Sequence, residues 1–377
     1  MKHIVRNLTL LSCVSSTAFA APFLAIGDNA ELFATAEARA AYNDNILLAA
    51  SGVEKEDTVF TFIPGFDLEF GKESHLKGDL IGTATLTSYS DNNDLNNQLL
   101  ALLGKSTYDN GTLKLAANLG FQELDQPTVD IVPSAGKLVE RHVTTAGING
   151  ELGFTQRTSG GIGFSYTHTD YKDPAYTESE DYAVPVNLYY ELTAKVDLSA
   201  GIRYTYTELD NGYEYTGFYY NVGARGAFTP KLSGAFSVGY NTRNVNIGPD
   251  DDGSIGADAS LAYAYTDKTQ FSLALSRNFS NATSGGSSYE NTQVTLGASS
   301  QIAIDWRLNA ALTYRVLDYQ NFSRTDDYYE GSLGATYIIN THLSTSLSYL
   351  YRYNSSDAGA ASEFSNNVIS LSLSARY

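Results

Sequence analysis

Between residues 32 and 377 the chain repeats one unit: an alternating apolar–polar run, a very short connection, a second alternating run, and a longer acidic connection. Successive side chains of a strand point to opposite faces, so each run builds a strand with one oily and one wet face. Phe60, Phe62, Phe66, Leu68 and Phe70 share a face. So do Leu198, Ala200, Ile202, Tyr204 and Tyr206, with Ser199, Gly201, Arg203, Thr205 and Thr207 opposite. Eighteen such strands are readable, beginning with 32–43 and 57–70 and ending with 343–353 and 366–377; alternation is weakest over 97–108 and 138–153. The connections fall into two sets. Asp109-Asn110-Gly111, Thr229-Pro230-Lys231, Asp267-Lys268 and Asn340–His342 are tight, whereas 44–56, 123–137, 172–180, 245–253 and 354–365 are long. Short turns at one edge and long loops at the other mark an up-and-down antiparallel β-barrel whose strands cross a membrane. A soluble solenoid also alternates, but its oily face points inward and it does not need loops segregated by length.

An even strand count returns the last residue to the side where the first strand began. Residues 367–377 read Asn-Val-Ile-Ser-Leu-Ser-Leu-Ser-Ala-Arg-Tyr, with Ile369, Leu371, Leu373, Ala375 and Tyr377 on one face. A strand of this length crosses a bilayer when tilted. The segment resembles the closing strand of bacterial outer-membrane β-barrels. That resemblance makes Tyr377 part of the signal read by the barrel-assembly machinery. The other reading is the edge strand of a soluble secreted β-protein.

The start of the chain suits export. Lys2 and Arg6 precede a short apolar core, Leu8 to Val14, and Ala18-Phe19-Ala20 forms a small-residue cleavage site. Residues 1–20 are therefore read as a signal peptide, 21–31 as a periplasmic N-terminal lead and 32–377 as the outer-membrane barrel. Leu10-Leu11-Ser12-Cys13 offers a second reading, in which Cys13 is lipidated, but the apolar core before it is very short. With cleavage at Ala20 the mature chain holds no cysteine, so no disulfide or thiolate metal site is available. No 18-residue apolar run follows that could form a spanning helix. Removing Lys2 and Arg6 from the 24 basic residues leaves an acidic excess of about 20, which argues against nucleic acid as a partner. The mean hydropathy of −0.21 is compatible with a barrel, in which only alternate residues face lipid.

Residues 42–70 carry a motif. Tyr42-Asn43-Asp44-Asn45-Ile46 closes the first strand, and Asp57 to Phe70 follows with Pro64-Gly65 inside it. The pattern resembles the start of the beta-barrel porin type 2 family. The resemblance implies an outer-membrane barrel, and a second role as an accessory barrel for exopolysaccharide export or cell-surface organisation. Physically, Asp44 and Asn45 suit a turn, and Pro64, which has no N–H, should sit at an unpaired ladder position.

No residues here suggest catalysis or a cofactor. His75, His142, His168 and His342 stand in no nucleophile or metal spacing, and His142 and His168 fall in the lipid-facing phase. Asp250-Asp251-Asp252-Gly253 lacks the ligand set of a calcium loop. The charges within strands say more. Arg39, Arg203, Arg225, Arg243, Arg315 and Arg352 lie out of phase with the apolar stripe, as do Lys77, Lys114 and Arg376. Asp67 and Glu69 share that phase with Glu37 and Asp79. All are expected to face the lumen, with Arg203 and Arg225 forming one positive patch near mid-height. An eighteen-strand barrel leaves room for water, and wall charges tune which ions pass. These features lead to a porin-like channel for passive diffusion of small solutes, with outer-membrane lipid as its surroundings. They set neither the solute nor the oligomeric state. By analogy with general porins, the third long loop, 123–137, is expected to fold inward.

Overall fold

The computed structural model describes residues 22–27, 29–127, 137–247, 252–281, 288–319 and 323–377. Residues 1–20, and Cys13 with them, lie outside it. A short strand β1 (Leu24–Ile26) precedes eighteen long ones. These are β2 (Ala30–Asn43), β3 (Asp57–Phe70), β4 (Leu76–Tyr89), β5 (Asn97–Asp109), β6 (Leu113–Gln126), β7 (Val139–Gly153), β8 (Thr158–Tyr171), β9 (Ser179–Thr193) and β10 (Val196–Leu209). The second half is β11 (Glu214–Ala227), β12 (Leu232–Val245), β13 (Asp252–Ala264), β14 (Thr269–Asn281), β15 (Ser288–Gln301), β16 (Trp306–Tyr319), β17 (Arg324–Ile338), β18 (Leu343–Ser356) and β19 (Phe364–Arg376). Each long strand pairs antiparallel with the next, and β19 pairs with β2 through Leu371↔Ala40 and Ser372↔Arg39, closing the ring.

The registers fix the size of that ring. Summed once round, their offsets give a shear of about 22 residues for 18 strands. At about 3.3 Å per residue and about 4.8 Å between strands, this means a tilt of about 40° and a backbone radius of about 18 Å. Strands of 13 to 15 residues then rise well beyond the roughly 25 Å apolar band that such barrels need.

The two faces differ as alternation requires. Leu119 is 69% exposed and Leu312 64%, both on the outer face, whereas Leu317 on the inner face is fully buried. An unbroken apolar surface of this extent calls for lipid, not water, as its solvent. Aromatic clusters flank it at both ends. Tyr166, Tyr182 and Tyr206 meet at the loop end, as do Tyr314, Tyr329 and Tyr353. Trp306 packs on Tyr337 and Tyr265 on Phe271 at the turn end. Such girdles sit at membrane–water interfaces, where an amphipathic ring has both solvents within reach.

Local chemistry explains the breaks. In the turn after β5 the Asp109 carboxylate accepts from the Gly111 N–H, and Gly111 takes φ +88°, a conformation that costs an L side chain energy. Pairing of β3 with β4 jumps from Phe62↔Leu86 to Gly65↔Thr83, so Pro64 sits where the ladder is interrupted. Pro185 interrupts the β8–β9 ladder in the same way. Strand ends extend past the sequence reading at the loop edge, as at Gln126 and Ser356, because polar residues above the apolar band still pair their backbones. The sequence reading did not contain β1. Tyr377 exchanges backbone hydrogen bonds with Ala34, at 2.7 and 2.9 Å, and below that point β1 takes over as the partner of Ala30–Leu32. β1 thus continues the line of β19 along an edge of β2 that would otherwise be bare.

Candidate functional site

The wall of the lumen carries the candidate site. The strand registers put Arg39, Asp67, Glu69, Arg203, Arg225, Arg243, Arg315 and Arg352 on the face opposite the apolar one, together with Lys77, Lys114 and Arg376. Most of these charges are matched in place. Arg39 pairs with Glu37 at 2.5 Å. Arg376 reaches Asp67 at 2.9 Å and Glu69 at 2.5 Å, and its guanidinium lies over Phe33. Arg243 is buried against the Tyr215 ring at 4.1 Å. Arg315 donates to Asn291 at 2.7 Å and to the Tyr289 hydroxyl at 3.3 Å.

Arg203 and Arg225 do not form the expected patch. Arg203 stands opposite Tyr219, whereas Arg225 stands opposite Asp197, so the two lie about 20 Å apart along the strands. Hairpin neighbours share a height only when counted out equally from their common loop. Arg225 is much farther from the 210–213 loop than Arg203 is. Each also has its own counter-ion: Arg203 reaches Asp258 at 3.5 Å, and Arg225 reaches Asp197 at 3.0 Å and Glu151 through two bonds of 2.8 and 2.9 Å. The Arg225 guanidinium also stacks on Tyr189 at 3.4 Å.

The Arg225–Glu151 contact joins β11 to β7 across three intervening strands. Small inward residues leave room along this path: a Cβ added to Gly161 would meet the ring of Tyr189, on which Arg225 stacks, at 3.2 Å. A Cβ added to Gly201 would meet the Asn187 Oδ1 at 2.1 Å. Sequence reasoning missed Asp197, which stands directly opposite Arg225 on the adjacent strand and needs only the register to be found, and Glu151 and Asp258, whose pairing across non-adjacent strands depends on curvature. The only signal was their shared inward phase. The brace is testable. Arg225→Leu strands two carboxylates of a largely desolvated network, so a loss of about 3 kcal/mol is expected. It would appear as a lower denaturant midpoint of the folded barrel, partly recovered by adding Glu151→Leu. An unchanged midpoint in the single variant would assign the brace no role in stability.

The first long loop, 44–56, folds into the barrel mouth. Ile46 and Leu47 pack with Tyr89, with Val59 and Leu95 alongside, while Leu48 packs with Tyr328 and Phe364. Tyr89, Val59, Tyr328 and Phe364 are inward residues, so the loop packs on the inner wall, through Leu48 on the β17–β19 side and through Ile46 and Leu47 on the β3–β4 side. Asn45 anchors it: its amide donates to the Ala49 and Ser365 carbonyls at 2.8 and 3.0 Å, and its Oδ1 accepts from the Ala49 N–H at 2.8 Å. Asn366, fully buried, donates to Asn43, Asp44 and Asn45, and Asp44 accepts two bonds from Asn367. Leu48 has φ +50°, the one non-glycine positive value among the described residues. Asp44 and Asn45 thus hold an inward hook together, where the sequence reading saw only a turn.

The third long loop lies largely outside the described residues, over 128–136, and its expected inward fold stays a proposal. At its far end Lys137 binds Asp173 at 2.6 Å, and this hydrogen bond holds the Asp173 carboxyl below the usual carboxylate range. Tyr176, from the next loop, is buried against the inward Val139 and Tyr171. His142 and His168 sit on the outer face. His142 stands 3.9 Å from Glu123 and 3.6 Å from Asp170, and His168 stands 3.8 Å from Glu180. Among the described residues no three His, Cys, Asp or Glu side chains are grouped to hold a metal. Asp250 and Asp251 fall outside the described residues.

Over its C-terminal strands the chain matches a porin family. Residues 211–377 fit the family model described as "Putative beta-barrel porin 2". The match covers β11 to β19, whereas the motif read from the sequence, 42–70, lies outside it. No curated protein matches the chain. Among solved structures the chain is similar to the outer membrane protein opdK from Pseudomonas aeruginosa, at 10% identity over 92% of this chain and 99% of that one, with a TM-score of 0.47. It is also similar to OpdO from Pseudomonas aeruginosa (11%, 93% and 97%, 0.49) and to OccAB3 from Acinetobacter baumannii (13%, 93% and 100%, 0.44).

Proposed function

We propose that the protein is an outer-membrane β-barrel channel for passive diffusion of small solutes. The observation that carries this reading is the ring itself: eighteen strands, closed, apolar outside and lined inside by paired charges, hydroxyls and amides. A backbone radius of about 18 Å leaves a hydrated lumen once side chains are accounted for. The inward hook of residues 45–49 narrows that lumen at the loop end and sets the size limit. Ion-paired arginines such as Arg39, Arg203, Arg225 and Arg376 keep the wall wet and nearly neutral, and Arg243, Arg315, Arg352, Asp67 and Glu69 contribute to its selectivity. Residues 1–20 act as the signal peptide that takes the chain across the inner membrane. Residues 21–31 stay on the periplasmic side. Tyr377 is presented to the barrel-assembly machinery, with outer-membrane lipid as the final surroundings.

The test is electrical. The detergent-purified protein, shown to be folded by a gel shift on boiling, is expected to give unitary conductance steps in planar bilayers. A folded protein that gives no steps, or one recovered without detergent, would overturn the channel reading.

A further inference from the structure

We propose that Arg352, beside the inward hook, binds the oxyanion group of small solutes crossing the lumen, whether a carboxylate or a phosphate. This deepens the channel reading and rests on it. The inference comes from what the arginines already hold. Arg39, Arg203, Arg225, Arg324 and Arg376 each have a carboxylate on the inner wall. Arg352 makes no ion pair or hydrogen bond among the described residues, and its Nε is buried with no partner. Among the described residues Arg141, Arg157 and Arg307 also make no ion pair, but they sit at the rim or at the turn end, away from the hook.

The acid directly across does not pair with Arg352. Glu330, on β17, accepts the Tyr328 hydroxyl at 2.7 Å and makes no ion pair with the guanidinium. Tyr328 is the residue on which Leu48 of the hook packs, and Arg352 lies next to it across the β17–β18 pair, so Arg352 stands beside the hook. Arg315 stands opposite Tyr328 on β16, so two guanidinium-bearing strands flank that tyrosine. The remaining neighbour, Asn354, presents a buried Oδ1 with no donor. A guanidinium offers five donors in a fixed fork that suits two oxygens of one anion. Partial burial strengthens that attraction over what water allows. An oxyanion would supply the acceptors that Arg352 lacks, and a hydroxyl or protonated oxygen on the same solute would donate to Asn354.

The experiment uses the full barrel in planar bilayers in KCl, with sodium acetate and inorganic phosphate added in separate arms. Wild type is expected to show concentration-dependent block of chloride current by at least one of them, and the arm that blocks identifies the anion class. Arg352→Gln should raise the half-blocking concentration about tenfold or more, the scale of a lost charged hydrogen-bond pair, with open conductance retained. Arg352→Lys, which keeps the charge and loses the fork, should fall between, and it carries the test if the Gln variant does not fold. Arg277→Gln, on the outer face, serves as the control. A wild type that conducts but is blocked by neither anion overturns the inference while the channel stands, as does equal block in the Arg352 variants. A wild type without conductance overturns the channel reading instead.

Discussion

Replacing Asn45–Ala49 by a Gly-Ser segment of equal length is expected to raise single-channel conductance about twofold or more, since the narrowest section controls the flow of ions through a wide barrel. Ile46, Leu47 and Leu48 are apolar and project from the hook onto the inner walls of β4 and β17. Removing them opens the mouth without touching any strand pair. The single change Asn45→Ala tests the anchor. It deletes three hydrogen bonds made by a side chain only 1% exposed, and the Ala49 N–H and two carbonyls lose their partner inside the structure. Leaving buried groups unsatisfied costs about 1–3 kcal/mol each, more than enough to release a loop that also holds Leu48 at positive φ. The variant should therefore show flickering between a wild-type and a larger conductance level. Wild-type conductance in the Gly-Ser variant would place the constriction elsewhere.

Deleting Tyr377 should cut the yield of folded barrel about tenfold while leaving transport across the inner membrane intact, because two backbone bonds at the closing seam, each worth about 1 kcal/mol net, are lost together. Those bonds run between Tyr377 and Ala34. The Tyr377 ring also packs against His342 at 5.2 Å and against Phe23 at 6.5 Å, tying the end of β19 to the neighbouring turn and to the lead before β1. Near lipid, a bare strand edge has no water to replace its lost partner. Quantifying the boiling-sensitive band in outer-membrane fractions gives the readout. An undiminished band from the truncated chain would show that closure does not depend on this residue.

Much of the fold was legible, for a simple reason. A lipid-facing strand must keep its apolar residues in strict phase, so the phase survives in the sequence. β3, read as 57–70 from Phe60, Phe62 and Phe66, spans those same residues in the structure. The same alternation is what sets Arg203 and Arg225 out of phase with the apolar stripe. What could not be read was height and reach. Arg203 and Arg225 share a phase but the registers separate them in height, and Glu151 meets Arg225 across three strands, a reach that phase alone does not give. The hook was hidden more deeply. Asn45 and Leu48 read as turn residues, and their anchors, Ser365 and Phe364, come from the far end of the chain. β1 was missed because three residues pairing one edge of β2 leave no alternation to detect.

The pairing of β19 with β2 has a kinetic consequence. Every other long-strand pair in the ring is a hairpin between neighbours in the chain, which can zip as soon as both strands exist. The last pair joins residues such as Ser374 and Glu37, 337 positions apart. Contacts of that separation form late, since a long loop must be closed before any bond rewards it. Until then both free edges, the start of the chain and its end, stay open at once. The folding barrel is thus expected to pass through a curled sheet with a single slit, with the meeting of the first and last strands as its slowest step.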